Sequence, residues 1–151
     1  MRRFAHIRRE DGQALVEFAL VLPILLMVAT GITSFGLVFY RYITLTDAVR
    51  TGARTLALGR GETSPNDPCT LATNQTVSSA IDVNLQASDI TMKIGTDPPI
   101  QMPQACDGSG TQWIQGNQVT VSASIPYSLN IFGVISINTG NLTASATDAI
   151  E

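Results

Sequence analysis

The sequence predicts an α+β fold with a long N-terminal transmembrane helix that continues into a small exported domain with a short helix and a small antiparallel sheet. Three observations predict it. The run from Phe18 to Tyr40 is apolar almost throughout, apolar residues then recur at helical spacing to about Leu58, and segments after residue 89 alternate apolar with polar side chains.

The apolar run is long enough to cross a bilayer. It has no ionisable side chain except the Tyr40 phenol, and as a helix it would extend about 35 Å. A buried core helix would show a polar face, whereas only Thr30, Thr33 and Ser34 interrupt this run. We therefore expect a membrane-spanning helix.

Basic residues predict the orientation of this helix. Positively charged residues concentrate before the run, which favours a single-pass protein of the cell membrane with a cytoplasmic N-terminus and an extracytoplasmic C-terminal domain. A cleaved secretory signal is the alternative, but the run is too long for one and Glu17 interrupts its start. The basic residues before the run are Arg2, Arg3, Arg8 and Arg9.

Three residues of the run are candidates for contacts with another helix. Pro23 removes a backbone hydrogen bond where water cannot replace it, so neighbouring helices are expected to cover the break. Gly31 and Gly36 lack side chains and allow a close approach in the membrane. These positions predict an assembly surface on the membrane helix.

Beyond the membrane, the helix carries one apolar stripe. Leu45, Val49, Ala53 and Leu56 lie on one face, and we expect this face to seat the exported domain. Asp47 and Arg50 fall on the other face and are predicted to form a solvated pair.

The exported part shows helical spacing first and alternation later. The segment TVSSAIDVNLQA over 76–87 predicts a short amphipathic helix. Alternation predicts strands in DITMKIG, in QVTVSASIP, where Pro126 is expected to end the strand, and more weakly in NLTASATDAI. The proline-rich TDPPIQMPQACDGSG predicts a loop, and YSLNIFGVISINTG a partly apolar connection.

The two cysteines, Cys69 and Cys106, lie in turn-rich segments. The chain has no Cys-x-x-Cys pair and a single histidine, His6, so zinc spacing is absent. A structural disulfide is the better hypothesis for an exported domain, and two reduced buried cysteines are the alternative.

Composition argues against several function classes. From Gly59 onward the chain has two basic and eight acidic residues, a balance unsuited to nucleic acid. Outside residues 1–12 there is no histidine for catalysis, and no phosphate-loop, serine-hydrolase or metal-binding helix motif is present. Asp107 alone supplies too few oxygens for calcium. We expect no enzymatic activity, no metal and no cofactor.

The opening residues resemble a known family. The segment GQALVEF over 12–18, the following ALVLPILL and the DAVRTGAR segment over 47–54 are similar to the TadE-like family of tight-adherence (Flp-type) pilus systems. The resemblance also includes Gly31, Phe35 and Gly36. Related prepilin motifs often have tyrosine after the glutamate, where this chain has Phe18.

This resemblance implies a pseudopilin for Flp/Tad-type pilus assembly. A prepilin peptidase would cut after Gly12 and leave Gln13 as the first residue, with Glu17 and Phe18 completing the processing motif. The chain would then divide into a cytoplasmic leader over 1–12, a transmembrane and extended helix over 13–58 and an exported domain over 59–151. Its partners would be the membrane, the peptidase and other pilin-like or pilus-assembly proteins.

Glu17 has a physical role in this reading. A carboxylate costs about 2.5–3.5 kcal/mol at the bilayer centre and less near its surface. Cleavage would create an amino group about 6 Å away along the helix axis, which could pair with Glu17 of the same or a neighbouring subunit. Two alternatives remain: an unprocessed, signal-anchored exterior domain that binds a ligand or envelope component, and an exported enzyme using carboxylates such as Asp82 and Asp89.

Overall fold

The computed structural model describes residues 9–63, 67–131 and 135–151, with side chains described for 12–63, 67–128 and 140–151. Within these ranges, one long helix, one short helix and a four-stranded antiparallel sheet form an α+β arrangement, so the predicted fold class is confirmed. Most of the expected leader, including His6, lies outside the described residues.

Helix α1 runs from Arg9 to Ala57 without interruption, 49 residues long, and passes through Pro23. Its side chains are exposed over most of the apolar run and become buried from Leu45 onward. The predicted stripe of Leu45, Val49, Ala53 and Leu56 is buried, with 2% exposure or less at each residue. One helix therefore has two parts: an exposed apolar segment long enough to cross a bilayer, and a segment that packs in the core of the folded domain.

Helix α2 runs from Pro68 to Ser79, eight residues before the start of the helix predicted at 76–87. The prediction was wrong in position because capping outweighed apolar spacing. Asp67 caps the helix through its carboxylate and Pro68 occupies the first turn, where a missing N–H costs nothing. The chain then leaves the helix through a turn in which Asp82 and Asn84 adopt positive φ, and Ile81 is 68% exposed.

The sheet has the order β2-β1-β3-β4, with every neighbouring pair antiparallel. Strand β1 alternates as predicted, with Ile90, Met92 and Ile94 buried. Strand β2 lies in the segment predicted as a loop and pairs with β1 through only two residue pairs. The strands are β1 (Ile90–Ile94), β2 (Ile100–Gln101), β3 (Gln118–Ile131) and β4 (Ile135–Ala149).

Strand β3 does not end at Pro126, contrary to the prediction. Pro126 pairs with Asn141 of β4 and the ladder continues to Ile131 and Ile135, so the predicted connection is instead two paired strands. Pairing with β1 stops at Ala123, which leaves β4 as the single described neighbour of β3 beyond that point. Proline is tolerated there because its missing N–H need not serve a second strand.

The core lies between the α1 stripe, α2 and the inner face of the sheet. α1 and α2 approach closely at Gly52, where a Cβ atom would overlap the Thr76 hydroxyl. Thr76 is fully buried and donates this hydroxyl to the Ala72 carbonyl at 2.7 Å. Gly52 and Ala48, which lies one turn earlier in α1 and is fully buried, therefore pack inside the folded domain.

Gly52→Ala is expected to lower the free energy of unfolding of the domain by about 1–3 kcal/mol, because the added methyl group must displace a buried, hydrogen-bonded side chain. Trp113, the one tryptophan of the chain and 6% exposed, reports unfolding by its fluorescence in the detergent-solubilised full chain. Gly36→Ala is the matched control, since a Cβ there meets nothing within 4 Å. Equal stability of the two variants would contradict the packing described.

Candidate processing and assembly segment

The residues of the predicted processing motif lie near the start of the described part of α1. The helix is described from Arg9 onward, so Gly12 is helical, and a Cβ at Gly12 would meet nothing within 4 Å. The side chains from Gly12 to Phe18 are exposed, with Phe18 at 63%. The motif is therefore sterically open along its whole length within the described residues.

Glu17 is an exposed carboxylate at the start of the apolar run. Among the residues whose side chains are described, the recorded ion pair joins Arg50 to Asp47 at 3.9 Å and leaves Glu17 out. The Asp47 and Arg50 side chains are about 70% exposed, in agreement with the predicted solvated pair. Within the described residues no basic side chain pairs with Glu17, so its carboxylate is open to a partner from elsewhere.

The apolar run forms a helix long and hydrophobic enough to cross a membrane. The candidate span within Gly12–Ala57 has a mean hydropathy of 2.4, and none of its most apolar window is buried in the protein. Within the described residues this window packs against no other part of the protein, which argues against the core-helix alternative. Large side chains on its surface include Leu15, Leu20, Ile24, Ile32 and Phe35, each more than 60% exposed.

Gly31 and Gly36 form a shallow apolar groove on this helix. Ile32, Phe35 and Phe39 line it with them, and its volume is about 490 Å³. A Cβ at either glycine would meet nothing within 4 Å, so the groove is open to any neighbour. Pro23 lies farther toward the N-terminus, away from this groove, within a continuous helix.

The comparisons with known proteins bear on this same helix. Residues 12–54 match the family model of TadE-like proteins. The match begins at the glycine of the motif and ends three residues before the last residue of α1, so the resemblance inferred from GQALVEF and DAVRTGAR is confirmed over this TadE-like segment. A search of curated proteins and a search of solved structures each found no match.

A disulfide joins Cys69 and Cys106 at the end of the domain far from the apolar run, with a Cα to Cα distance of 5.5 Å. It links the first turn of α2 to the loop after β2 and closes 37 residues of chain. On the chain-entropy model such a loop stabilises the fold by about 4 kcal/mol. Asp67 lies close to both sulfurs, but disulfide sulfurs are not thiolates, so the three residues do not form a metal-binding set.

Asp67 stabilises the region around this disulfide through hydrogen bonds, a role that the sequence alone did not predict. Its carboxylate accepts the Cys69 N–H at 3.1 Å, the Thr70 N–H at 3.3 Å and, across the chain, the Cys106 N–H at 2.8 Å. Burial acts to raise the pKa of Asp67, but the hydrogen bonds outweigh it and hold that pKa below its usual value. The fold therefore stabilises the ionised carboxylate.

Asp107 and Ser109 lie nearby in a turn. The Asp107 carboxylate accepts both the N–H and the hydroxyl of Ser109, at 2.9 and 2.7 Å, and these bonds lower its pKa. The Asp107 carboxylate thus accepts its hydrogen bonds from within its own turn, as is typical of a DGSG sequence.

Asp67→Asn is expected to remove part of the acid sensitivity of folding. Because the folded-state pKa lies below the usual value of 3.8, the carboxylate stabilises the domain above about pH 4, and this contribution is lost as the pH falls through the folded-state pKa. Unfolding followed by Trp113 fluorescence at pH 7 and pH 3 should show a smaller loss of stability in the variant. An unchanged loss would contradict this role.

Proposed function

We propose that this chain is a non-enzymatic, membrane-anchored pseudopilin-like protein of Tad-type pilus assembly, cut by a prepilin peptidase after Gly12. The observation that carries the proposal is the TadE-like match, which starts at residue 12 and follows α1 through the whole apolar run. The N-terminus would lie in the cytoplasm and the folded domain outside the membrane.

The cut is a hydrolysis of the Gly12–Gln13 peptide bond. Water adds across the bond and leaves a carboxylate on Gly12 and an amino group on Gln13. A protease needs close access to the backbone, and Gly12 offers no side chain to obstruct it. Glycine lowers the stability of the helix at this bond by about 1 kcal/mol relative to alanine, which makes local unwinding easier.

Glu17 then acquires a partner. The new amino group lies four residues before it, about 6 Å along the helix axis, and the N-terminus of the helix also favours a negative charge. The same amine on a neighbouring subunit is an equivalent partner, so cleavage would create an assembly contact. Cleavage would also remove the arginines of the leader, which favour a cytoplasmic position for the N-terminus of the precursor.

The exposed apolar surface of α1 would contact the helices of other pilin-like subunits. In lipid there is no hydrophobic drive between helices, and close packing decides which faces meet. The groove at Gly31 and Gly36 offers such a face, and Phe35 and Phe39 provide contact area beside it. The partner class is therefore another apolar helix carrying a similar N-terminal segment.

Gly12→Val is expected to block processing while leaving membrane insertion intact, because a branched side chain would obstruct the cut but not the apolar run. Mass spectrometry of the membrane-extracted protein should find Gln13, or its cyclised form, as the first residue in the parent chain and Met1 in the variant. Gly31→Val is the matched control and should be cut normally, since its surroundings are equally open.

Three other outcomes would count against this assignment. Normal accumulation of the cut form in Gly12→Val would place the cut elsewhere. An intact Met1 in the parent chain would favour the unprocessed, signal-anchored exterior domain, and a first residue beyond Gly31 would indicate an ordinary secretory signal.

Glu17→Gln is expected to be cut normally but to co-purify much less with pilin-like partners, because the amide keeps the size and loses the charge that pairs with the new amine. Glu62→Gln, an exposed change in the folded domain, is the control and should co-purify as the parent does. Undiminished co-purification of the Glu17 variant would contradict the pairing.

A further inference from the structure

A cavity of about 330 Å³ lies between α1, strand β3 and the segment that joins α2 to β1. Binding sites for small molecules occupy about 300–1,000 Å³ and combine a few polar groups with apolar walls. This cavity, which we call the Arg41 cavity, is therefore large enough for a small charged ligand. Its charged and polar lining includes Arg41 of α1 together with Asp82, Asn84, Gln86 and Asp89.

The charged side chains of the Arg41 cavity do not neutralise one another. Among the residues whose side chains are described, the recorded ion pair joins Arg50 to Asp47, outside this cavity. Asp89 accepts a backbone N–H at 3.0 Å through one of its oxygens, and within the same part of the chain no hydrogen bond is recorded for the Asp82 carboxylate or the Arg41 guanidinium. One positive and two negative groups thus line the cavity unpaired, which suits a ligand that carries both charges.

Arg41 lies at the level of the lipid headgroups when α1 crosses a bilayer. From Glu17 to Arg41 the helix extends about 36 Å, and the hydrocarbon core of a bilayer is about 30 Å thick. Tyr40 and Tyr42 flank Arg41 and are 53% and 44% exposed, an arrangement typical of the membrane surface, where aromatic rings and basic residues meet the headgroups. The Arg41 cavity therefore opens where phospholipid headgroups would be found.

A second, smaller cavity adjoins the first on its apolar side. Its volume is about 40 Å³, and it shares Arg41, Val83 and Ile125 with the Arg41 cavity. Val38 and Leu142 also line it, and Val38 lies one helical turn from Arg41 toward the apolar run. The polar cavity thus continues into an apolar crevice in the direction of the bilayer, as an amphiphilic ligand requires.

The charges of the Arg41 cavity select among phospholipid headgroups. A guanidinium binds a phosphate through paired N–H donors, and carboxylates accept hydrogen bonds from an ammonium group. Ethanolamine offers such an ammonium, whereas choline has no N–H to donate. With two carboxylates for one guanidinium, the cavity also disfavours a lipid that carries a net negative charge. Ethanolamine is therefore the headgroup that fits best.

We propose that the Arg41 cavity binds the headgroup of phosphatidylethanolamine, with Arg41 on the phosphate and with Asp82 and Asp89 on the ammonium group. The acyl chains would leave past Val38 into the bilayer. The contact would hold the folded domain against the membrane surface beside its own helix. It rests on the proposed anchoring of α1 with the domain outside the membrane, and it does not depend on the cut after Gly12.

Carbodiimide coupling tests this contact on the unsubstituted full chain in nanodiscs of phosphatidylcholine and phosphatidylethanolamine. The reagent joins a carboxylate to a primary amine as an amide, and phosphatidylethanolamine is the lipid that carries such an amine. Mass spectrometry is expected to find the lipid on Asp82 or Asp89 and not on Asp47, an exposed carboxylate farther along α1. Equal coupling at Asp47, or none at Asp82 and Asp89, would overturn the proposal. Failure of the chain to enter the nanodiscs would overturn the anchoring on which it rests.

Native mass spectrometry of the detergent-solubilised full chain measures the selectivity. Phosphatidylethanolamine is expected to bind in preference to phosphatidylcholine and phosphatidylglycerol. Arg41→Gln and Asp82→Asn should each weaken this binding by about fivefold, as expected for one exposed charge pair, and asparagine tolerates the positive φ of Asp82. Arg50→Gln and Asp47→Asn are the matched controls outside the cavity and should bind as the parent does. Equal binding of the three lipids, or an equal loss in the controls, would overturn the proposal.

Glycerophosphoethanolamine, the headgroup without acyl chains, separates a lipid ligand from a soluble one. It is expected to displace the lipid only at a much higher concentration, because it lacks the acyl part that would lie beside Val38. Displacement at equal concentration would assign the cavity to a soluble phosphate ester and overturn the lipid contact. A normal cut after Gly12 without lipid selectivity would overturn this inference alone and leave the proposed function in place.

Discussion

The packing of one stripe of α1 against the sheet is the interaction on which the rest of the structure depends. Leu45, Val49 and Leu56 are fully buried there, and each buried side chain of this size contributes about 1.5–3 kcal/mol. The hydrophobic effect acts on this half of the helix because its alternative is water. The other half is exposed and long enough to cross a bilayer, where this effect would not act between helices.

The domain is secured at its two ends by different means. At the end far from the apolar run, the Cys69–Cys106 disulfide and the Asp67 carboxylate hold α2 against the loop after β2. At the other end, Val38 and Arg41 of α1 line a small cavity together with Tyr127 of β3, so helix and sheet also meet there. A small domain with few core layers gains from both kinds of restraint.

Processing and folding are separated along α1. Gly12 and Ala57 are about 70 Å apart on the helix axis, and the processing motif makes no contact with the core among the described residues. Loss of the leader would therefore change the charge at one end of the chain without disturbing the domain at the other. The TadE-like match covers this helix and ends before the domain's sheet begins.

Local patterns in the sequence determined the fold class, the membrane helix, the buried stripe of α1 and the alternation of β1. These depend on helical or strand periodicity, which neighbouring residues carry by themselves. The family resemblance likewise rested on residues close together in the chain. With two cysteines in the chain, one intramolecular pairing was open to them.

Tertiary structure decided the features that depend on distant residues. Pro126 remains in a strand because the pairing of β3 with β1 stops at Ala123, which the residues around Pro126 do not encode. The start of α2 follows from the Asp67 cap, which also binds Cys106, 39 residues away, and Gly52 is needed because Thr76 packs against it. Strand pairing and helix contacts bring together segments far apart in the chain, so their positions become visible only in the folded protein.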